Sequence, residues 1–230
     1  MNLIFDIGCN VGEFTRKCLY ENPNCKVVAV DANHNLVSEG EQDNLIIVNA
    51  LIGAKDGDEV DFHIEPRQSG ISTASKTFLE NSRFTKGSVS LPTNSANWSK
   101  PVKMRVTTLD TLIEKYGNPD YIKIDVEGYE AEVLRGLSTK QKTIAFEWHE
   151  EDLETLYSAC EHLESLGYNQ FGMTGYFPSP NSLKGIKYDA YGDYYLLEPD
   201  QFFTWPELKE YVIQQTQPER RVAYGMLTAK

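Results

Sequence analysis

The sequence predicts an α/β protein built on a mostly parallel sheet with helices on both faces, and three observations carry that prediction. Short apolar runs at Ile4–Ile7, Lys26–Asp31 and Leu45–Gly53 alternate with polar, helix-compatible stretches. The first run passes through Gly8-Cys9-Asn10-Val11-Gly12 directly into helical sequence, as a buried strand does when it turns tightly into a helix. Strand, helix, strand, helix, strand at this pace also requires right-handed crossovers, and hence parallel pairing.

Taken in order, the elements are these. A helix is expected from about Gly12 to Tyr20, and Asn22-Pro23-Asn24 then turns the chain into the β-branched run Lys26–Asp31, a second buried strand ending in an acid. Residues 34–42 read as a polar helix, and Leu45–Gly53 as a third strand closed by Lys55-Asp56-Gly57-Asp58. Val60–Ile64 alternates like a further strand. Residues 66–101 are rich in Ser, Thr, Asn and Gly with little periodicity; so long a loop inside a domain predicts a lid or a substrate-gripping segment. Val102–Val106 resumes strand character, and Thr108–Gly117 is a capped helix stopped by glycine. Tyr121–Glu130 is a strand ending in acids that runs into a helix over Ala131–Leu137. Thr143–His149 is a strand with a polar end, and residues 151–166 form an amphipathic helix. Tyr168–Gly172 and Tyr194–Leu197 read as late strands around the aromatic, Gly/Pro-rich stretch 173–193, and residues 205–215 as a final helix. No repeat, low-complexity tract or linker interrupts this order. A single domain over 1–230 is expected, with 66–101 and 173–193 as substrate-side loops.

At 230 residues with 40% hydrophobic and 24% charged residues, the chain has the composition of an ordinary globular domain. A net charge of −12, from 22 Lys+Arg against 34 Asp+Glu, argues against a nucleic-acid partner and mildly against anionic acceptors. Cys9, Cys18, Cys25 and Cys160 contain no Cys-x-x-Cys pair and are too sparse for a disulfide framework, so reduced thiols are expected. No apolar run reaches the ~20 residues that span a bilayer. The first strand, read as starting almost at Met1, does not resemble a leader; a cytoplasmic protein without membrane contact is expected, with any lid supplied from later in the chain. Composition leaves a homo-oligomer open.

The chemistry gathers at strand tips. Ligands of open parallel sheets lie beyond the carboxyl ends of the strands, so Asp6, Asp31, Asn49, Asp125 and Glu147 converge. Glycine at positions 8 and 12 would let a ligand approach the backbone, and the helix after Gly12 aims free N–H groups into the bend. The Gly-x-Gly-x-x-Gly of a dinucleotide site is missing, and Asp6 would repel a phosphate; an acid there suits a positive amine such as that of the methionine portion of S-adenosyl-L-methionine (SAM). Asp31, at the second strand's tip, is placed to accept both hydroxyls of a ribose, although a solvated strand-end acid is the plainer reading. His149 is either a hydrogen-bonded strand-end residue or a base with an ordinary pKa of about 6.5. Trp98, Trp148, Tyr176, Phe177 and Tyr191 are either core or a stacking wall for a sugar ring. Ser69-Gly70-Ile71-Ser72-Thr73 reads as a turn.

One family resembles this arrangement. Phe5–Gly12, Val30-Asp31, Asn49-Ala50-Leu51-Ile52-Gly53 with Asp56-Gly57, Thr108-Leu109-Asp110, and Ile122-Lys123-Ile124-Asp125-Val126-Glu127-Gly128-Tyr129-Glu130 resemble the FkbM family of SAM-dependent methyltransferases, in order and spacing over roughly residues 3–150. The resemblance implies a class I methyltransferase fold: a Rossmann-like, mostly parallel seven-stranded sheet with its last strand antiparallel. It implies SAM as cofactor and O-methylation of a hydroxyl, commonly on a sugar, glycan or glycosylated small molecule. It places Asp6, Gly8, Asn10 and Gly12 along the methionine side of SAM, Asp31 at the ribose, Asn49 and Ala50 near the adenine, and Asp125, Glu127 and Gly128 beside the transferred methyl. Residues after 150 match no part of the pattern.

Transfer of a methyl group needs aligned reactants and a proton acceptor for the hydroxyl. Asp125 or Glu127 serves as that base, with His149 a further candidate. Alternatively Asp125, Glu127 and Glu147 hold Mg²⁺, whose hard charge suits oxygen ligands; a metal-free base is favoured. Two other functions compete: a nicotinamide-dependent reductase, which lacks its glycine pattern here, and a catalytically inactive SAM-binding module.

Overall fold

Seven strands make the central sheet of the computed structural model, which describes residues 2–33, 43–88, 91–176 and 199–230. In spatial order they are β3 (Leu45–Asn49), β2 (Lys26–Asp31), β1 (Leu3–Ile7), β7 (Tyr121–Ile124), β8 (Ile144–His149), β10 (Tyr224–Ala229) and β9 (Phe171–Tyr176), numbered along the chain. Pairing is parallel from β3 through β8, and β10 runs antiparallel between β8 and β9. This is the class I methyltransferase arrangement. Strand order reverses between β1 and β7, which opens a crevice above their carboxyl ends.

Both faces of the sheet are buried because side chains alternate along each strand. Ile4, Val27 and Ala29 point to one face and pack with Phe14 and Cys18 of α1 (Glu13–Glu21). Phe5, Ile7, Val28, Val30, Ile122 and Phe146 point to the other, where they meet α4 (Leu109–Tyr116), α5 (Glu130–Arg135) and α6 (Leu153–Ser165). Each such side chain contributes about 1.5–3 kcal/mol by leaving water. α4 begins at Thr108, whose hydroxyl accepts the Thr111 N–H, and stops at Gly117 with φ 99°; its sequence limits are those read from the cap and the glycine. α7 (Trp205–Gln215) opens with a capping box between Thr204 and Glu207.

Three expectations change. The third strand does not run unbroken from Leu45 to Gly53: the Ala50 N–H donates to the Asp31 carbonyl at 3.1 Å, and the chain then leaves the main sheet. Leu51–Ile52 becomes β4, which pairs with β6 (Val102–Thr107) and, through it, with β5 (Glu59–Phe62) in a separate three-stranded sheet. The stretch 66–101 is not a featureless loop, since it holds a 3₁₀ turn at Ser69–Ile71 and two short helices, α2 (Lys76–Asn81) and α3 (Arg83–Lys86). Its serines are caps and anchors, which explains the polar composition: the Ser75 hydroxyl, for example, accepts the Phe78 N–H. Finally, β9 extends to Tyr176 and its partner is β10, a strand absent from the sequence reading. The helix expected over 34–42 and the strand expected over 194–197 lie outside the described residues, as does most of 173–193. Among the described residues no helix is long and apolar enough to cross a membrane.

Candidate active site

The cleft above β1 and β7 is built from the tight bend after β1. Gly8, Asn10 and Gly12 have φ of 75°, 47° and 79°, so the bend passes three times through the left-handed region that favours glycine. Gly8 is required for a different reason from the one the sequence suggested. A Cβ there would overlap the carbonyl oxygen of Asp125, so the missing side chain lets β1 close against β7 rather than admitting a ligand. Gly12 caps α1 through its backbone conformation alone.

Asp6 is fully buried beneath the bend and is not on the cleft wall. Its carboxylate accepts the Thr15 hydroxyl at 2.6 Å and pairs with the Lys123 ammonium at 3.2 Å. Register makes the pair inevitable: Asp6 and Lys123 sit opposite each other across β1 and β7. Lys123 also donates to the Gly8 carbonyl at 2.9 Å and lies 3.4 Å from the Asp125 carboxylate. One ammonium therefore ties the bend, the acid under it and the tip of β7 together. Lys123 received no role from the sequence, although a lysine between two isoleucines of a buried strand is itself a sign of a buried ion pair.

Asp31 ends β2 on the cleft wall. Its two carboxylate oxygens accept the backbone N–H groups of Asn10 at 2.8 Å and Asn33 at 2.7 Å. Burial raises its pKa, and those two hydrogen bonds work against the rise. Two fixed bonds orient the carboxylate and leave lone pairs for a ligand diol. Asn49 does not line the cleft; its amide donates to the carbonyls of Asp31 and Ala32 at 2.9 and 3.1 Å and so braces the Asp31 tip, while Ala50, Leu51 and Ile52 form the wall beyond it. The Ser69–Ile71 turn closes over the top, with the Ser69 hydroxyl donating to the Asn10 side-chain oxygen at 2.9 Å. The cleft runs between the Gly8–Val11 bend, Asp31, Ala50–Ile52 and Asp125–Glu127 and opens to solvent at its mouth.

Beyond Asp31 the wall is formed by Asp125, Val126 and Glu127, which lead into a cluster of buried acids. Glu127 has φ 56°, a strained value for a non-glycine residue. Two contacts hold it there: Thr73 donates its hydroxyl to the Glu127 carbonyl at 2.7 Å, and the buried Glu130 carboxylate accepts the N–H groups of Val126 and Gly128 at 3.0 and 3.2 Å. On the neighbouring tip, His149 Nε2 lies 3.0 Å from Glu147 and 3.8 Å from Glu127, and Asp125 hydrogen-bonds Glu147. Burial and the Glu147 charge push the carboxyls of Asp125 and Glu127 well up. Burial would also raise Glu147, but the charge of His149 outweighs it and holds Glu147 at about 2. For His149 burial favours the neutral ring, Glu147 outweighs it, and the pKa rises to about 10. Glu130, raised by burial, comes to about 7.

The cap segment seals this cluster. Phe78 of α2 packs on the His149 ring at 5.3 Å between centroids, and Trp98 meets Phe78 edge-on while donating its indole N–H to the Ile71 carbonyl. Arg83 of α3 grips Glu151 with two nitrogens at 2.8 Å each and donates to the carbonyls of Val222 and Ala223. Of the aromatic wall read from the sequence, Trp148 is core at 2% exposure and Trp98 packs on Phe78, while Phe177 and Tyr191 lie outside the described residues.

The sequence model of the Methyltransferase FkbM domain matches residues 6–170, well over half of the chain. The chain belongs to the FkbM methyltransferase family. It is accordingly a SAM-dependent methyltransferase, and the nicotinamide reductase is set aside. None of the curated proteins compared with this FkbM-family chain matches it. Similar solved structures include precorrin-6y C5,15-methyltransferase from Geobacter metallireducens, at 14% identity over 99% of this chain and 80% of that one with TM-score 0.40. A SAM-dependent methyltransferase from Archaeoglobus fulgidus is 13% identical over 100% of this chain and 86% of its own, also at 0.40. The plantazolicin methyltransferase BpumL, solved with S-adenosylhomocysteine (SAH) and a pentazolic desmethylPZN analog, is 11% identical over 100% of this chain and 76% of its own at 0.35.

Proposed function

We propose that this FkbM-family enzyme transfers the methyl group of SAM to a hydroxyl oxygen of a sugar, glycan or glycosylated small molecule. The observation that carries the reading is the continuity of one cleft wall from the Asp31 carboxylate, fixed by two backbone N–H groups, to the acids of Asp125 and Glu127. The first end suits a ribose and the second suits an acceptor that must lose a proton.

In this reading Asp31 holds the ribose, with Asn49 bracing it, and Ala50 packs at the adenine. Asn10 and the peptide groups of the Gly8–Gly12 bend line the methionine portion, and Asp6 acts from below by holding Lys123 against the bend. When bound, SAM supplies a methyl carbon that an acceptor oxygen takes while the electrons of the broken S–C bond stay on sulfur. The chain's own work is to align that oxygen, exclude water under the Ser69–Ile71 turn and accept the proton. Asp125 and Glu127 are the acceptors on the wall; Asp125 hydrogen-bonds Glu147 directly, and His149 Nε2 links Glu127 to Glu147. Burial raises the pKa of both carboxyls, which makes the ionised carboxylate of either one a stronger base for the proton released. Among the described residues the group that could hold a metal is Glu127, Glu147 and His149, so Asp125 of the magnesium set read from the sequence falls outside it.

The test is methyl transfer from labelled SAM across free sugars, nucleotide sugars and glycosides, with Asp125→Asn beside the wild type. The reading expects a methyl ether product, no turnover by Asp125→Asn and an unchanged SAH affinity for that variant. Product on nitrogen or carbon, or full turnover by the variant, would overturn it.

A further inference from the structure

We propose that Glu127, Glu147 and His149 bind one divalent transition-metal ion, which holds and polarises the acceptor hydroxyl; the inference rests on the O-methylation reading and deepens it. The three ligand atoms lie within 4.8 Å of one another, and His149 Nε2 stands 3.0 Å from Glu147 and 3.8 Å from Glu127. A first-row ion with bonds of about 2.1 Å holds neighbouring ligands about 3.0 Å apart and opposed ones about 4.2 Å apart. The His149–Glu147 spacing already matches neighbouring ligands, and the Glu127 carboxylate completes the face by closing in from 3.8 Å.

The donor set selects the ion. Magnesium and calcium take oxygen, and magnesium keeps most of its waters, whereas an imidazole nitrogen with two carboxylates suits Mn²⁺, Fe²⁺ or Zn²⁺. The support is rigid as well: Glu147 and His149 project from a strand inside the sheet, Phe78 backs the imidazole, and Thr73 pins the Glu127 backbone. Three protein ligands leave positions open for an oxygen of the acceptor, and Glu127 borders the cleft where that oxygen must arrive. The bonds made and broken remain those of the transfer above; the ion changes only the acidity of the hydroxyl.

The test uses the full chain stripped with EDTA and titrated with Mn²⁺, free Mn²⁺ being followed by electron paramagnetic resonance. Expected are one saturable ion per chain, at least about tenfold preference over Mg²⁺ in competition, and nitrogen coupling from a bound imidazole in the pulsed spectrum of the wild type. Glu147→Gln and His149→Gln should each weaken Mn²⁺ by about tenfold or more while SAH affinity by calorimetry stays unchanged. Absence of saturable binding, equal affinity for Mg²⁺, or a bound ion without nitrogen coupling overturns the proposal. The spectrum is taken on the wild type, so a variant that fails to fold does not remove this readout. Failure of the wild type to bind SAH would instead overturn the donor-site assignment.

Discussion

Replacing Lys123 with methionine isolates the group that joins the bend to the sheet. Methionine keeps an unbranched stem of similar reach, so packing is conserved while the charge goes. The variant leaves Asp6 facing an uncharged partner in a fully buried site and takes the donor from the Gly8 carbonyl, contacts now at 3.2 and 2.9 Å. Removing one partner of a buried ion pair costs about 3–5 kcal/mol. In a chain of this length each kcal/mol moves the thermal midpoint by about 2–4 °C, so a drop of about 6–20 °C is expected by calorimetry. Adding Asp6→Asn to the same variant removes one orphaned charge and should recover part of the loss. SAH affinity should fall with the midpoint, because the bend and Asp125 lose their common tether. A single variant melting within about 3 °C of the wild type would refute the account.

Other outcomes follow from the same contacts. Gly8→Ala places a methyl group on the Asp125 carbonyl at φ 75°, and soluble expression or SAH binding should be lost; a folded, SAH-binding Gly8→Ala protein would show that β1 and β7 can separate. Asp31→Asn removes a charge from the diol acceptor, worth about 1.5–3 kcal/mol, so SAH should bind about 10–100-fold more weakly in calorimetry; wild-type affinity would remove Asp31 from the donor site. Acid stability can be signed from three carboxylates. Hydrogen bonds from Thr111 and Thr108 to Asp56, and from the Arg67 and Asn97 backbones to Glu65, outweigh burial and lower both pKa values, while the Asn2 N–H and Lys142 hold Asp120 at about 2. A depressed folded pKa gives stability that is present above the unfolded value of about 4 and is lost as pH falls through the folded one. These three carboxylates should therefore make the urea midpoint fall below about pH 4, less steeply in Asp56→Asn; an equally steep acid fall in that variant contradicts the assignment.

The parts of the fold that were legible in the sequence are those where local pattern and tertiary need agree. Lys26–Asp31 is β-branched and buried on both faces, and Thr108–Gly117 carries its own cap and stop, so pattern sufficed for both. The break at Ala50 was invisible because Leu45–Ile52 is apolar but for Asn49, and only pairing with Val106 and Thr107 diverts its second half. β10 was missed for the reverse reason: Tyr224-Gly-Met-Leu-Thr-Ala229 has little strand propensity, and antiparallel partners on both sides make it a strand. At the site, strand-tip acids were readable because the topology places every tip at one edge. The roles of Lys123, Thr73 and Arg83 depend on partners 115, 54 and 68 residues away, which no local pattern carries.

The insertion of β10 between β8 and β9 has a consequence for biosynthesis. β9 leaves the ribosome first, yet its only strand neighbour among the described residues is one made some fifty residues later. The Arg83 guanidinium likewise waits for the carbonyls of Val222 and Ala223 before the roof over the acids can lock. A nascent chain thus keeps an open sheet edge and an unlatched cap until Val222–Ala229 has emerged.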